Sequence, residues 1–214
     1  MPSSRYEHIS DVVSVMVAMA PETVLDIGCG FGRWGVLARE FGDIFYGRYD
    51  KSTWKTRIEG VEVYPGYLSP LHEYIYDVLH VTRIEDYVEI MQDYDVIFAG
   101  DIIEHLEILV AKAVLRKLCL KSKKALIIAL PLGNEWPQGE VLGNPQEAHR
   151  SIWTEADLRQ LGAKYLKLYR IDNQRPYAIA VWTAHTLPQL EIQTRKLSYL
   201  MERSMRRLLT RLVS

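Results

Sequence analysis

Residues 24–35 read Val-Leu-Asp-Ile-Gly-Cys-Gly-Phe-Gly-Arg-Trp-Gly: an apolar run with an acid inside it, then three glycines in alternation. Val24, Leu25 and Ile27 have the pattern of a buried parallel strand. Gly28, Gly30 and Gly32 supply a turn that takes positive φ and admits a ligand where any Cβ would collide. The stretch predicts a strand, a nucleotide-cradling turn and the start of a helix. Spacing narrows the ligand. A dinucleotide fingerprint, G-x-G-x-x-G, has its third glycine three residues after the second. Here Gly32 comes one residue early and Arg33 fills that place, and no P-loop lysine follows.

Asp26, Gly28, Gly30 and Gly32, with Cys29 between them, resemble motif I of the class I S-adenosylmethionine-dependent methyltransferases, D/E-x-G-x-G-x-G. The resemblance implies that the acid and the glycines hold the methionine end and ribose of S-adenosylmethionine. A second stretch, Asp93-Tyr94-Asp95-Val96-Ile97-Phe98-Ala99-Gly100-Asp101-Ile102-Ile103-Glu104-His105-Leu106, resembles the fourth strand and following turn of many small-molecule methyltransferases, in which Glu-His-Leu opens a helix beside the methyl group. The two segments occur in the family's order, and the resemblance covers about residues 20–185. It implies a Rossmann-like α/β fold: a doubly wound, seven-stranded, mostly parallel sheet with an antiparallel last strand. The Asn/Asp-Pro-Pro-Tyr/Phe turn of amino-methylating DNA and protein-glutamine enzymes is missing after residue 100. Oxygen is therefore the expected methyl acceptor.

Composition sets the frame for this reading. A chain of 214 residues with 48% hydrophobic content suits one α/β core. A formal net charge of -1 gives no global field that would draw the chain onto nucleic acid or an anionic membrane. Cys29 and Cys119 are the two cysteines and form no C-x-x-C pair, which points to a reducing, cytoplasmic setting. The apolar run from Val12 to Ala20 follows Glu7 and Asp11 and stops at Pro21. It is too short for a membrane span and lacks the basic start of a signal peptide, so it is expected to be a helix capping the sheet.

Along the chain, apolar runs alternate with helical patterns in the order that builds a parallel sheet. Strands are expected at Thr23–Ile27, Arg57–Val63, Val78–Thr82, Tyr94–Ala99 and Ala125–Leu130. A closing hairpin is expected from Lys164–Ile171 and Tyr177–Thr183. Helices are expected at Arg33–Phe41, Leu106–Leu120 and Trp153–Leu161, the last opening with Thr154 as cap and Asp157 three residues on. Residues 1–186 are expected to form the cofactor-binding domain. The tail, 187–214, reads as a helix with Leu190, Leu197, Met201, Met205, Leu208 and Leu212 on one stripe and Arg195, Lys196, Arg203, Arg206, Arg207 and Arg211 opposite. Such a helix suits a homodimer contact, an anionic membrane surface or nucleic acid.

Ligands of open α/β sheets sit beyond the carboxyl ends of the strands. After strand two, Glu62 is the candidate acceptor for the ribose hydroxyls, with Val63 beside it. Glu62 lies 36 residues beyond Asp26, against a usual interval of about 20; the excess is the stretch from Gly42 to Lys55, in which Asp50 is the competing acid. After strand three, Arg83 and Ile84 are candidate adenine contacts: Arg83 stacks on the ring or Glu85 reaches its amino group, with ordinary helix-start residues as the alternative.

Methyl transfer from a sulfonium is an in-line displacement that needs an aligned acceptor and a base for its proton. His105 and His149 are the candidate bases, and Asp101 is a candidate for catalysis or for the cofactor's amino group. A Pro-rich loop from Pro131 to Gly139 reads as a substrate lid, with Trp136 and Trp153 as candidate pocket walls or core anchors. The same residues allow another chemistry. Asp101, Glu104, His105 and His149 make a donor set for Mg or Mn, similar to the Glu-x-x-Glu-His pattern of small-RNA 3′-terminal 2′-O-methyltransferases, whose later histidine also stands four residues before a tryptophan. The leading expectation is O-methylation of a small molecule or sugar hydroxyl. The alternatives are a metal-dependent RNA 2′-O-methyltransferase and a non-catalytic cofactor-binding module.

Overall fold

The computed structural model describes residues 5–141, 143–172, 174–185 and 187. Its chain order is α1 (Ile9–Met19), β1 (Thr23–Ile27), α2 (Arg33–Gly42), β2 (Arg57–Glu62), α3 (Pro70–Ile75), β3 (Val78–Val81), α4 (Ile84–Ile90), β4 (Tyr94–Gly100), α5 (Ile108–Lys121), β5 (Ser122–Pro131), α6 (Glu155–Gln160), β6 (Tyr165–Ile171) and β7 (Arg175–Thr183). The strands form one seven-stranded sheet in the order β3-β2-β1-β4-β5-β7-β6. The first five run parallel, and β7 enters antiparallel between β5 and β6. This is the doubly wound sheet expected from the sequence. Strand order reverses between β1 and β4, which opens a crevice at their carboxyl ends.

Each face of the sheet carries its own apolar layer. Leu25, Ile27, Ile97, Leu126 and Ile128 pack with α4 and α5, while Val24, Ile58, Val96, Phe98 and Ile127 pack with α1 and α2. The alternation along each strand explains why the central strands read as unbroken apolar runs: both faces are covered. The amino-terminal helix caps the sheet through buried Val12, Val15, Met16 and Met19.

Several expected boundaries shift for local reasons. The helix expected from Leu106 starts at Ile108, because Ile103–His105 is a separate 3-10 turn. The expected helix from Trp153 starts at Glu155 behind Thr154, which forms the capping box with Asp157. The stretch 42–55 contains two 3-10 turns anchored by buried Asp43, whose carboxylate accepts from Arg39, Arg48 and the Lys55 backbone N–H. Asp50 caps one of those turns by accepting from the Ser52 N–H at 2.8 Å. The expected tail helix lies outside the described residues except for Leu187, which is buried and donates its N–H to the Tyr165 hydroxyl at 3.0 Å. Among the described residues no helix is long and apolar enough to cross a membrane.

Gly35, in the first turn of α2, lets that helix press on Tyr76: a Cβ there would stand 2.3 Å from the tyrosine ring. Gly35→Ala is expected to lower unfolding free energy by about 1–3 kcal/mol through overpacking. Urea denaturation with an unchanged m-value checks this.

Candidate active site

The turn after β1 is built from left-handed residues: Gly28, Gly30 and Gly32 have φ of 68°, 52° and 86°. Gly28 is additionally pinned by space, since a Cβ would lie 1.9 Å from Ile102 Cδ1. Two side chains fix the turn through Gly30. Its N–H donates to Glu62 Oε2 at 2.9 Å, and its carbonyl accepts from His72 Nε2 at 2.9 Å. His72 is fully buried, and its Nδ1 accepts the Ser69 N–H at 3.1 Å, so the proton sits on Nε2. Glu62 Oε1 accepts the Tyr64 N–H at 2.9 Å.

A cavity opens over this turn and along the ends of β2, β3 and β4. Cys29, Gly30, Glu62, Val63, Arg83, Ile84 and Asp101 all line it, as do Gly28 and His105. Asp26 and Gly32 do not. Asp26 lies behind the turn, 1% exposed, and its Oδ2 accepts the Tyr76 hydroxyl at 2.6 Å. Burial lifts its carboxyl to about 7. Gly32 caps α2 and faces the His72 ring. These two motif positions therefore support the cradle from beneath, without a direct place on its wall. Arg83 and Glu85 form an ion pair on the opposite rim.

A second cavity, of about 220 Å³, adjoins the first. Trp136, Gln138, His149, Arg175 and Tyr177 line it, and Asp101 and His105 belong to both walls. Asp101 stands just beyond β4 with φ 54°, a strained backbone for a residue with a Cβ, of the kind that marks functional positions. Its Oδ1 accepts the Tyr177 hydroxyl at 3.0 Å. His105 Nδ1 lies 3.2 Å from the Ala148 carbonyl, which places the proton on Nδ1. The His105 and His149 rings meet edge to face, 5.0 Å apart. Burial lowers both imidazoles; His149, also repelled by His105, falls to about 4.

Glu104, His105 and His149 each offer a ligand atom within 4.8 Å of the others'. Glu104 is 1% exposed, and neither carboxylate oxygen has a hydrogen-bond partner. Burial and neighbouring Asp101 raise its pKa well above the ordinary carboxylate range. Asp101, expected in the same donor set, is outside it and bound to Tyr177 instead. Trp153 is fully buried in the core with its Nε1 donating to Ser151 Oγ at 2.9 Å, so it anchors the loop and walls no pocket. Trp136 does line the second cavity, with the Arg175 guanidinium 3.9 Å above its ring. None of the residues 42–55 lines either cavity: α2 begins at the cradle and ends at Gly42, against Thr56 at the amino end of β2.

No family model and no curated protein matches the chain. Solved structures do. The magnesium protoporphyrin IX methyltransferase from Synechocystis PCC 6803 with bound S-adenosylmethionine superposes with a TM-score of 0.56 at 14% identity, covering 82% of this chain and 77% of that one. TehB from Haemophilus influenzae gives 0.60 at 14% identity, with 82% and 62% covered. The methyltransferase domain of a bacterial Hen1 gives 0.53 at 17% identity, with 82% and 97% covered. The chain has the class I methyltransferase fold. Tyr67, Asn144 and Glu147 add walls to the first cavity and Tyr177 to the second, residues the sequence did not single out. Asn144 and Glu147 fall within the loop around His149; Tyr177 carries no local signal.

Asp26 offers a test of how the cradle is supported. Its folded carboxyl is raised from 3.8 to about 7, so the folded state holds the extra proton. The stability this gives is full below about pH 4 and fades as pH rises through 7. Asp26→Asn, which keeps an acceptor for Tyr76, is expected to gain on the wild type as pH rises from about 5 to about 8. Thermal unfolding across that range checks it, and a pH-independent difference contradicts it.

Proposed function

We propose that the protein is an S-adenosylmethionine-dependent O-methyltransferase acting on a small molecule or sugar hydroxyl. The observation that carries this reading is the shared wall: Asp101 and His105 close the cofactor cavity on one side and the second cavity on the other. A methyl donor in one and a hydroxyl in the other would face each other across those two residues, as an in-line transfer requires. The residues present fit the cofactor: the glycine turn leaves its backbone open, Glu62 stands where ribose hydroxyls can donate, and Arg83 and Ile84 form the far wall.

The bound cofactor supplies the methyl group on a sulfonium. The chain's own residues align and deprotonate. His105, with its proton held on Nδ1 by Ala148, presents Nε2 as a lone pair for the acceptor hydroxyl proton. The imidazole would take and keep the proton that the acceptor hydroxyl loses. Trp136, Gln138 and Arg175 border the acceptor and limit water.

Titration calorimetry is expected to show S-adenosylmethionine binding that Gly30→Arg abolishes, because Gly30 lines the cavity and an arginine side chain there would fill it. His105→Ala is expected to keep that binding and lose on the order of 10²–10⁴ in kcat. Since its imidazole lies below 6.5, the acid limb of the wild-type profile should fall below the ordinary histidine range. A folded protein that binds no cofactor sinks the assignment.

One observation favours a second reading. A buried carboxylate without partners, set against two neutral imidazoles, has the donor chemistry of an Mg or Mn site, and it would serve a metal-dependent RNA 2′-O-methyltransferase. Glu104, His105 and His149 would hold the ion, which when bound lowers the pKa of a coordinated hydroxyl. On this reading Mn raises the thermal midpoint of the wild type and leaves that of Glu104→Gln unchanged. Equal midpoints with and without Mn count against the metal reading.

A further inference from the structure

The cofactor cavity carries more acid than base. Glu62, Glu85, Asp101 and Glu147 line it against Arg33 and Arg83, and Arg83 is engaged by Glu85. Glu62 and Glu85 lie at the ribose and adenine end, and Asp101 holds the Tyr177 hydroxyl. Glu147 has no part in the chemistry described so far. It is 8% exposed, and its Oε1 accepts the Tyr67 hydroxyl at 3.0 Å. Gln138 Nε2 stands 3.4 Å from Oε2, and Asn144 Nδ2 supports Tyr67 from 3.3 Å. These neutral donors orient the carboxylate without cancelling its charge. Its carboxylate is held by Tyr67, on the segment that follows Glu62, and the carbonyl of the next residue, Ala148, receives His105. A residue tied to both of these neighbours stands between them along the wall. With ribose on Glu62 and the methyl group facing His105, midway is where the sulfur must be.

We propose that Glu147 is a specificity-determining residue that supplies the counter-charge to the cofactor's sulfonium, so that the cavity distinguishes S-adenosylmethionine from demethylated S-adenosylhomocysteine. The proposal rests on the cofactor reading above. The two molecules differ by one methyl group and one positive charge, and the methyl group alone offers little to bind. A fixed carboxylate in a cavity of low dielectric attracts the sulfonium and gains nothing from a neutral thioether. Methyl transfer removes the attraction, which favours release of the spent product. The interaction is stronger in the ground state than in the transition state, where the charge on sulfur is already fading. Glu147 therefore lowers KM and does not raise kcat.

Calorimetry of the full chain with S-adenosylmethionine, S-adenosylhomocysteine and an analogue with a protonated amine in place of the sulfonium tests the charge directly. Glu147→Gln, which still accepts from Tyr67, is expected to weaken both cationic ligands roughly tenfold and the thioether by less than about twofold. Glu147→Asp is expected to keep most of the preference. Retained thioether binding shows that each variant folds. Equal weakening of charged and neutral ligands, loss of all three, or no change overturns the proposal. A comparison on the wild type alone gives a second check: the amine analogue should bind more tightly than the thioether, and the reverse order also overturns it. Failure of every ligand to bind the wild type strikes the cofactor reading instead.

Discussion

The peptide of Gly30 is the point on which the site depends. A chain leaving a parallel strand and entering a helix within five residues must pass through left-handed backbone, and loose glycines would cost the entropy of ordering them. Two hydrogen bonds hold this one: the N–H goes to Glu62 and the carbonyl to His72. Glu62 ends β2 and His72 belongs to α3, so the clamp ties the cradle to the neighbouring strand and its crossover at once. It also uses an acid in a double role. Each Glu62 oxygen accepts a backbone N–H, and the same side chain lines the cavity.

Beneath that clamp, the support is polar and buried. Asp26 and Tyr76 pair in the core, and Gly35 makes room for the ring. A partnered carboxyl at about 7 is cheaper to bury than an ionised one. The motif's acid thus bears on the cradle through the turn it stiffens, and has no place on the cavity wall itself.

The strands and the glycine turn were legible because their signals are local: apolar runs covered on both faces, alternating glycines, and Thr154 with Asp157 as a capping box. Glu62 could be preferred over Asp50 because it follows an apolar run, and Asp50 proves to cap a turn. The misjudged residues depend on which end of an element faces the crevice. Periodicity marks α2 as a helix but does not show that Asp50, beyond it, lies at the amino end of the strands. Trp153 has the same local pattern whether it walls a pocket or fills the core. Tyr67 and Glu147 are 80 residues apart and meet only because β2 and the loop after β5 end on one side of the sheet. No sequence window contains that bond.

The loop from 131 to 153 is fastened at both ends of the crevice, and this explains how two histidines from distant segments keep one geometry. On the side of the first cavity it is held by Tyr67 through Glu147. On the side of the second the N–H groups of Arg150 and Ser151 both donate to the Glu104 carbonyl, at 2.8 and 3.0 Å, while the Ala148 carbonyl receives His105. Glu104 is therefore committed through its backbone and unpartnered through its side chain. Desolvating an unpaired carboxylate costs several kcal/mol, and that cost, with Asp101 nearby, is what raises its pKa. The fold bears the expense of an acid placed against two imidazoles that burial keeps neutral. Of the three, His105 lines both cavities and His149 the second, so the buried acid bears on the crevice through the imidazoles in front of it.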